Sequence, residues 1–201
     1  AYFHDAIRDN GEVVFHNAEI YPPDFTHLRD VSWYASDRAV TKTERLIPAD
    51  QDYRLEVALE KFVAGSNFGK WSRQHLIDPL LYYPEKVVWR NYEASYDVAE
   101  LEPDDRSEYT YGLREYFVPV ERFDEFVPKM REIFQRNKAN IINVSIRHAK
   151  ADTNTLLSWA RSEVFAFVVY YRQGTDAEAK QAVSVWSREM IDAAIAVGGA
   201  Y

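Results

Sequence analysis

Three polar side chains alternate with apolar ones in the segment from residue 141 to 148, and their types and spacing suit ligand chemistry. A β-strand over this segment would place Asn143, Ser145 and Arg147 on one face, because side chains alternate across a strand. The other face would carry Ile142, Val144, Ile146 and His148. A polar row that ends in arginine is tolerable where the sheet face meets water or an anionic or electron-rich ligand. Two interpretations stay open: a solvated face with a surface arginine, or a binding site.

A carboxylate in a second predicted strand is the next candidate. Glu115 lies between Leu113 and Phe117 on one face of the strand predicted over 110–118. A buried carboxylate must be paired or hydrogen-bonded, or its pKa shifts. Arg147 is one possible partner if the two strands are neighbours. The pattern leaves open whether Glu115 forms a stabilising cross-strand pair or has a functional role.

The residues around these candidates resemble the substrate-domain signature of the FAD-linked sugar-lactone and alditol oxidases, flavoproteins of the vanillyl-alcohol-oxidase type. One part of the resemblance is Ile146-Arg147, followed by the acidic Asp152 five positions after the arginine and then by Leu157-Ser158. The other part is REYFVP at 114–119, which is similar to the Glu-Tyr-x-x-Pro strand that precedes a helix in that domain. The motifs cover about residues 110 to 171. Members of the family usually carry a glutamate two residues before the arginine, where this chain has Ser145.

The resemblance implies that residues 1–201 form the substrate (cap) domain of a longer FAD-dependent oxidase or dehydrogenase that acts on CH–OH groups. The FAD-binding domain of the same polypeptide would be absent from these residues. An alcohol such as a sugar lactone or a polyol would be oxidised by hydride transfer to flavin. Arg147 would be the catalytic and cofactor-contacting residue and would stabilise negative charge. The substrate-binding residues would be Ser145, Glu115, Ser158 and Asn143, with Glu115 orienting Arg147. The 201 residues alone are expected to be colourless and inactive, and to self-associate through the surface that the FAD-binding domain would cover.

Composition and motif searches exclude several other functions. A formal net charge of -8 argues against a nucleic-acid partner, since phosphate binding needs a basic face. The chain has no cysteine and no HxH, HxxxH or HExxH spacing, so no local metal site is predicted. None of its 7 glycines forms a nucleotide-binding motif. We predict that His148 is a packed, hydrogen-bonded histidine. No apolar run is long enough to span a bilayer, which favours a cytoplasmic protein, with membrane association through missing segments left open.

The order of predicted elements gives the fold class. Strands are predicted over 12–20 and 31–35, and helices over 52–64 and 70–83. The acidic segment near 102–108 is the predicted internal linker. From residue 110 the order is β-α-β-β-α, with strands over 110–118, 140–148 and 163–171, a helix over 121–136 and a last helix opened by a Thr175–Glu178 capping box. This order predicts an α+β, ferredoxin-like antiparallel sheet with helices on one face. A small-ligand-binding or dimerisation module without redox chemistry, or a dimeric α+β barrel enzyme, would have the same elements.

Overall fold

The structure, a computed structural model, describes residues 2–48, 53–95, 105–156 and 158–201. The chain divides into two compact units, one formed by Ala1–Trp33 with Asp105–Tyr201 and the other by Tyr34–Asp104. One of the two boundaries between them, at residues 104–105, falls in the acidic segment predicted as a linker, and the other lies between Trp33 and Tyr34. Residues 102–104 of the acidic segment lie outside the described ranges. Each unit is described by itself below.

The first unit contains a five-stranded antiparallel sheet. Its strands are β1 (Val13–Ile20), β2 (Leu28–Tyr34), β3 (Tyr109–Pro119), β4 (Ile141–Ala149) and β5 (Val164–Gly174). Their order across the sheet is β2-β1-β4-β5-β3. Strand β5 has the sequence VFAFVVYYRQG and is almost continuously buried. A run of β-branched and aromatic residues favours such a central strand, which has neighbours on both edges.

Two helices cover one face of this sheet, and the predicted α+β class with helices on one face is confirmed. In chain order they are the fifth and sixth α-helices of the described residues, α5 (Phe123–Arg136) and α6 (Ala177–Ala196). Phe126 of α5 packs on Phe167 of β5 at a ring-centroid distance of 4.9 Å, and Trp186 of α6 meets Tyr171 of β5 at 4.9 Å. The apolar stripe predicted for α5 is therefore the side that closes the core.

Local details of the first unit differ from the predicted boundaries. Strand β4 contains a β-bulge between Ile141 and Asn143. Because the extra residue changes the side-chain alternation, Ile141 rather than the predicted Ile142 joins the core cluster beside Val144.

The predicted capping box of α6 is one residue out of place. Asp176, rather than Thr175, caps α6, and its Oδ1 accepts a hydrogen bond from Ala179 N at 2.8 Å. Thr175 instead donates its hydroxyl to Ser107 O at 2.6 Å.

The second unit is helical: α1 (Arg54–Gly65), α2 (Asn67–Ser72), α3 (Asp78–Tyr82) and α4 (Arg90–Ala94). The helix predicted over 70–83 is confirmed as a continuous helical run that begins earlier, at Asn67, and in which a π-helical turn at Arg73–Ile77 joins α2 to α3. Ser66 caps α2 by accepting from Gly69 N at 3.0 Å. A Cβ on Gly69 would lie 2.3 Å from Phe62 O, so only glycine permits this close approach of α2 to α1. Within the described ranges, no helix has both the length and the apolar character that crossing a membrane requires.

Candidate functional site

The face of the sheet opposite α5 and α6, here called the open face, carries the polar row that the sequence predicted. Asn143, Ser145 and Arg147 all lie on it, whereas Val144 and Ile146 belong to the core on the helix side. Asn143 and Ser145 are half-buried and Arg147 is exposed. The alternation of β4 beyond its bulge therefore separates the polar residues from the core.

The register of the strands defines the neighbours of each polar residue. Ser145 is opposite Val168 of β5, which is opposite Glu115 of β3. Arg147 is opposite Ala166, which is opposite Phe117.

The small, buried side chains of Ala166 and Val168 form the middle of the open face. The longer side chains of β3 and β4 flank them on either side. This strip of small side chains along β5, between those of β3 and β4, is here called the trough.

The predicted environment of Glu115 is wrong on two points. Glu115 is exposed rather than buried, and β5 lies between its strand and that of Arg147. Adjacent strands are about 4.8 Å apart, so two strands separated by a third are about 10 Å apart. Glu115 and Arg147 are therefore not cross-strand neighbours in this sheet, and they lie on opposite sides of the trough.

Register also places a carboxylate that the sequence analysis missed. Glu19 of β1 is directly opposite Ser145, and it is half-buried with Oε1 shielded from solvent. The row across the open face thus reads Glu19, Ser145, Val168, Glu115. No local pattern could have indicated this neighbour, because β1 and β4 are more than a hundred residues apart in the sequence.

Two polar atoms at or near the open face are buried without a hydrogen-bond partner among the described residues. They are Oδ1 of Asn143 and Oγ of Ser158. A buried acceptor without a donor costs about 1–3 kcal/mol, and such atoms in a folded protein call for an explanation such as a ligand or a water molecule. Both residues were predicted as substrate-binding from the sequence.

The loop between β4 and β5 is held in shape by Asp152. Its carboxylate accepts hydrogen bonds from Asn154 N at 2.8 Å and from the amide and hydroxyl of Thr155, and its own amide donates to Ala160 O at 2.8 Å. The hydrogen bond from the Thr155 hydroxyl, with that from Asn154 N, lowers the pKa of Asp152. The acidic residue of the resemblance therefore organises the loop that carries Ser158, while Leu157 lies outside the described residues.

Aromatic rings lie at both ends of the open face, and the sequence analysis did not identify them as site residues. Trp159 of the loop packs on Phe117 at a centroid distance of 4.6 Å and remains half exposed. At the far end, Tyr111 packs against Tyr170 at 5.4 Å. The guanidinium of Arg172 lies 3.8 Å from the ring centroid of Tyr109, a cation–π contact. The high aromatic content was the available signal, but it did not say which rings share a face.

Together these residues place flat aromatic rings and polar groups on one face of the sheet. Aromatic rings offer flat apolar surfaces, and between them lie an amide, a hydroxyl, a guanidinium and two carboxylates. Such a mixture of apolar walls with few convergent polar groups is typical of small-molecule sites. In comparisons with known proteins, no family model, curated protein or solved structure matches this chain.

Proposed function

We propose that this chain is the substrate-binding part of an FAD-dependent oxidoreductase that oxidises an alcohol such as a sugar lactone or a polyol. The observation that carries the proposal is the polar row of the open face, in which the buried Oδ1 of Asn143 lacks a hydrogen-bond donor. A ligand hydroxyl would supply that donor. The C–H faces of a sugar-like ring would pack on aromatic surfaces such as Trp159 and Phe117, which meet at the end of the trough across β5 from Arg147.

The positions of the polar residues beside the trough assign each of them a role in substrate binding under this proposal. Ser145 and Glu19, opposite each other on β4 and β1, would hydrogen-bond substrate hydroxyls. Arg147 would place its guanidinium near the reacting oxygen and stabilise negative charge there. Glu115 would bind the substrate from the other side of the trough rather than orient Arg147, since β5 lies between them.

The described residues fit the substrate side of such a site and do not fit a diphosphate. Gly69, Gly112 and Gly199 have no room for a Cβ, because protein atoms lie within 2.3 to 2.5 Å of its position. These glycines serve close packing within the protein rather than a loop that cradles phosphate. In the proposal a separate domain of the same polypeptide holds FAD, which when bound supplies the hydride acceptor. The residues of this chain bind and orient the alcohol and stabilise charge on its oxygen.

A second candidate is a small-ligand-binding or dimerisation module without redox chemistry. Leu113 and Trp159 favour it, because both are about half exposed on or beside the open face, and exposed apolar side chains mark contact surfaces when they cluster. This candidate predicts that the face is covered by protein rather than by a sugar-like ligand.

Titration with an aldono-1,4-lactone and with xylitol tests the proposal on the 201-residue chain. We expect saturable binding, followed by two-dimensional NMR, that Arg147→Ala weakens by about tenfold, the size of a lost charged hydrogen bond. Arg131→Ala on the exposed side of α5 is the matched control and should leave binding unchanged. If Arg147→Ala lowers the melting temperature but leaves lactone binding as in the wild type, the arginine is structural and the proposed site is wrong.

Redox chemistry is tested on a polypeptide that also carries the FAD-binding domain. Anaerobic addition of the lactone should bleach the visible absorbance of oxidised flavin. Arg147→Ala should slow this bleaching by about 10²-fold, as for loss of a preorganised charge-stabilising group. Arg147→Lys should recover only part of the rate, because a point charge does not reproduce the planar guanidinium. Lactone binding without any bleaching would instead support the non-redox candidate.

A further inference from the structure

A cavity on the helix side of the sheet is lined by three histidines that are far apart in the sequence. It has a volume of about 280 Å³ and lies beside the N-terminal segment. His4, His16 and His148 all line it. No local spacing of histidines predicted this convergence, because the three residues come from a π-helical turn, from β1 and from β4.

The walls of this cavity are apolar and aromatic. Phe3 and Phe165 contact edge to face at a centroid distance of 4.7 Å, and Phe123 meets Phe165 at 5.7 Å. An apolar cavity of about 150 Å³ is large enough to hold benzene. A cavity of 280 Å³ therefore has room for one aromatic ring with a short side arm.

Two polar atoms of the lining are buried without a hydrogen-bond partner among the described residues. They are Nδ1 of His4 and Nε2 of His16. His16 Nε2 lies 4.0 Å from Oδ2 of Asp30, which is too far for a hydrogen bond. A separation of this length between two polar groups can be bridged by a water molecule or by a polar group of a ligand. His148 needs no such partner, because its Nε2 lies 2.8 Å from Glu163 Oε1.

The charged side chains around the cavity favour a cationic ligand over an anionic one. Two carboxylates, Asp30 and Asp124, are part of the lining, which contains no lysine or arginine. The Asp30 carboxylate accepts a hydrogen bond from the Tyr2 hydroxyl at 2.7 Å, which holds it beside the cavity. Burial lowers the pKa of His16, so this imidazole is neutral at pH 7 and offers no cation to an anionic ligand.

We propose that this cavity is a binding site for a small amine with a single aromatic ring. The ring lies among Phe3, Phe123 and Phe165, and the ammonium group bridges Asp30 and His16. The site is separate from the trough of the open face and does not depend on the function proposed for that face. Its failure would leave the lactone experiments unaffected.

Binding of 2-phenylethylamine to the 201-residue chain, measured by calorimetry and saturation-transfer NMR, tests the site. We expect saturable binding with a millimolar or lower dissociation constant. The matched probe 3-phenylpropionate has a similar ring and arm with a carboxylate, and should bind at least about fivefold more weakly, the size of a part-exposed ion pair. Equal affinity for the two probes, or no saturation by the amine at roughly 10 mM, would overturn the proposal.

Two variants locate the site on the protein. Asp30→Asn should weaken amine binding by about fivefold, whereas Asp192→Asn on the exposed side of α6 changes the net charge equally and should have no effect. Ala18→Leu adds methyl groups at a buried lining position and should abolish binding. Near-UV circular dichroism checks that each variant is folded. If Asp30→Asn does not fold, the comparison of the two probes and the Ala18→Leu variant test the site instead. Unchanged amine binding in Ala18→Leu would show that the amine binds elsewhere.

Discussion

Two consecutive residues of β4 occupy opposite chemical environments. Arg147 is exposed on the open face. His148 lies on the helix side, with its ring 4.8 Å from that of Phe3 and its Nε2 bonded to Glu163. The prediction of a packed, hydrogen-bonded histidine is confirmed. A shift of one residue in the register of β4 would exchange these environments, so the position of the arginine depends on the pairing of the whole strand.

Asn143 illustrates a conflict between binding and stability at a single residue. Its Oδ1 is buried without a donor, which costs free energy when no ligand is present. Asn143→Val should therefore raise the free energy of unfolding by about 1 kcal/mol and weaken lactone binding. Urea denaturation and the lactone titration measure the two effects. Asn137→Ala is the contrasting control, because Asn137 Nδ2 donates to Ile133 O at 2.9 Å and its loss should destabilise. If Asn143→Val destabilises as well, the carbonyl has a partner in the folded protein.

Lys70 is a buried cation whose charge state links pH to stability. It is 6% exposed, and burial lowers its pKa to about 8. In the unfolded chain this lysine binds a proton up to about pH 10.4. Between these two values the unfolded state holds more protons than the folded state, so stability should rise with pH through that window. Below about pH 8 the full cost of the buried charge is present.

Lys70→Met should remove this cost. We expect the variant to be more stable than the wild type at pH 7 by about 3 kcal/mol, given 1.36 kcal/mol for each pKa unit, and the advantage should shrink by pH 9.5. Lys61→Met, at an exposed position of α1, is the control and should change stability little. Urea denaturation at the two pH values measures the effect. A Lys70→Met advantage that is the same at both pH values would show that burial does not control this proton.

At the scale of single elements, the start of α6 is set by its N-cap residue Asp176 rather than by Thr175. Thr175 and Glu178 have the spacing of a capping box, but the hydroxyl of Thr175 is engaged by Ser107 O. Asp176 is the N-cap residue instead, and its negative side chain also complements the positive end of the helix dipole. A tertiary hydrogen bond to the chain just before β3 thus decides where the helix begins.

Removal of this cap should destabilise the first unit. Asp176→Ala should lower the free energy of unfolding by about 1 kcal/mol, within the range of about 0.5–2 kcal/mol for lost caps. Asp176→Asn keeps an acceptor oxygen and should lose less than half of that. Thermal denaturation followed by circular dichroism distinguishes the variants. If Thr175→Ala is the more damaging substitution for helix content, the sequence-based capping box is correct after all.

At the scale of the whole molecule, the helical second unit exposes several large apolar side chains. Phe68, Trp71 and His75 form a ladder of nearly parallel rings, with centroid distances of 6.1 Å and 4.9 Å. Leu80 and Tyr83 of the same unit are 74% and 88% exposed. Exposed apolar side chains mark contact surfaces where they cluster, and self-association through them stays a prediction.

Self-association should therefore depend on the ring ladder. We expect light scattering to show oligomers of the 201-residue chain whose fraction grows with concentration. The double variant Phe68→Ser with Trp71→Ser should shift this equilibrium toward the monomer. Val185→Ser removes an exposed apolar side chain from α6 in the other unit and serves as the control. A strict monomer at high concentration would contradict the prediction.

The sequence by itself determined the element types of the first unit and the separation of polar from apolar residues along β4 beyond its bulge. Both follow from short-range periodicity, which each strand and helix carries in its own residues. Asn143, Ser145 and Arg147 could be assigned to one face for this reason. The resemblance to flavin-linked oxidases added the hypothesis of a function, which no structural comparison tests.

Only the tertiary structure decided which residues meet across the sheet. It placed β5 between β3 and β4, which separates Glu115 from Arg147, and it set Glu19 opposite Ser145. It also brought His4, His16 and His148 to one cavity. Strand order and register depend on how distant segments bury their apolar faces together, and a one-residue slip or an exchange of neighbours leaves every local pattern unchanged. Local periodicity therefore predicts on which face of its strand a candidate residue lies, while long-range packing determines which residues are its neighbours across the sheet.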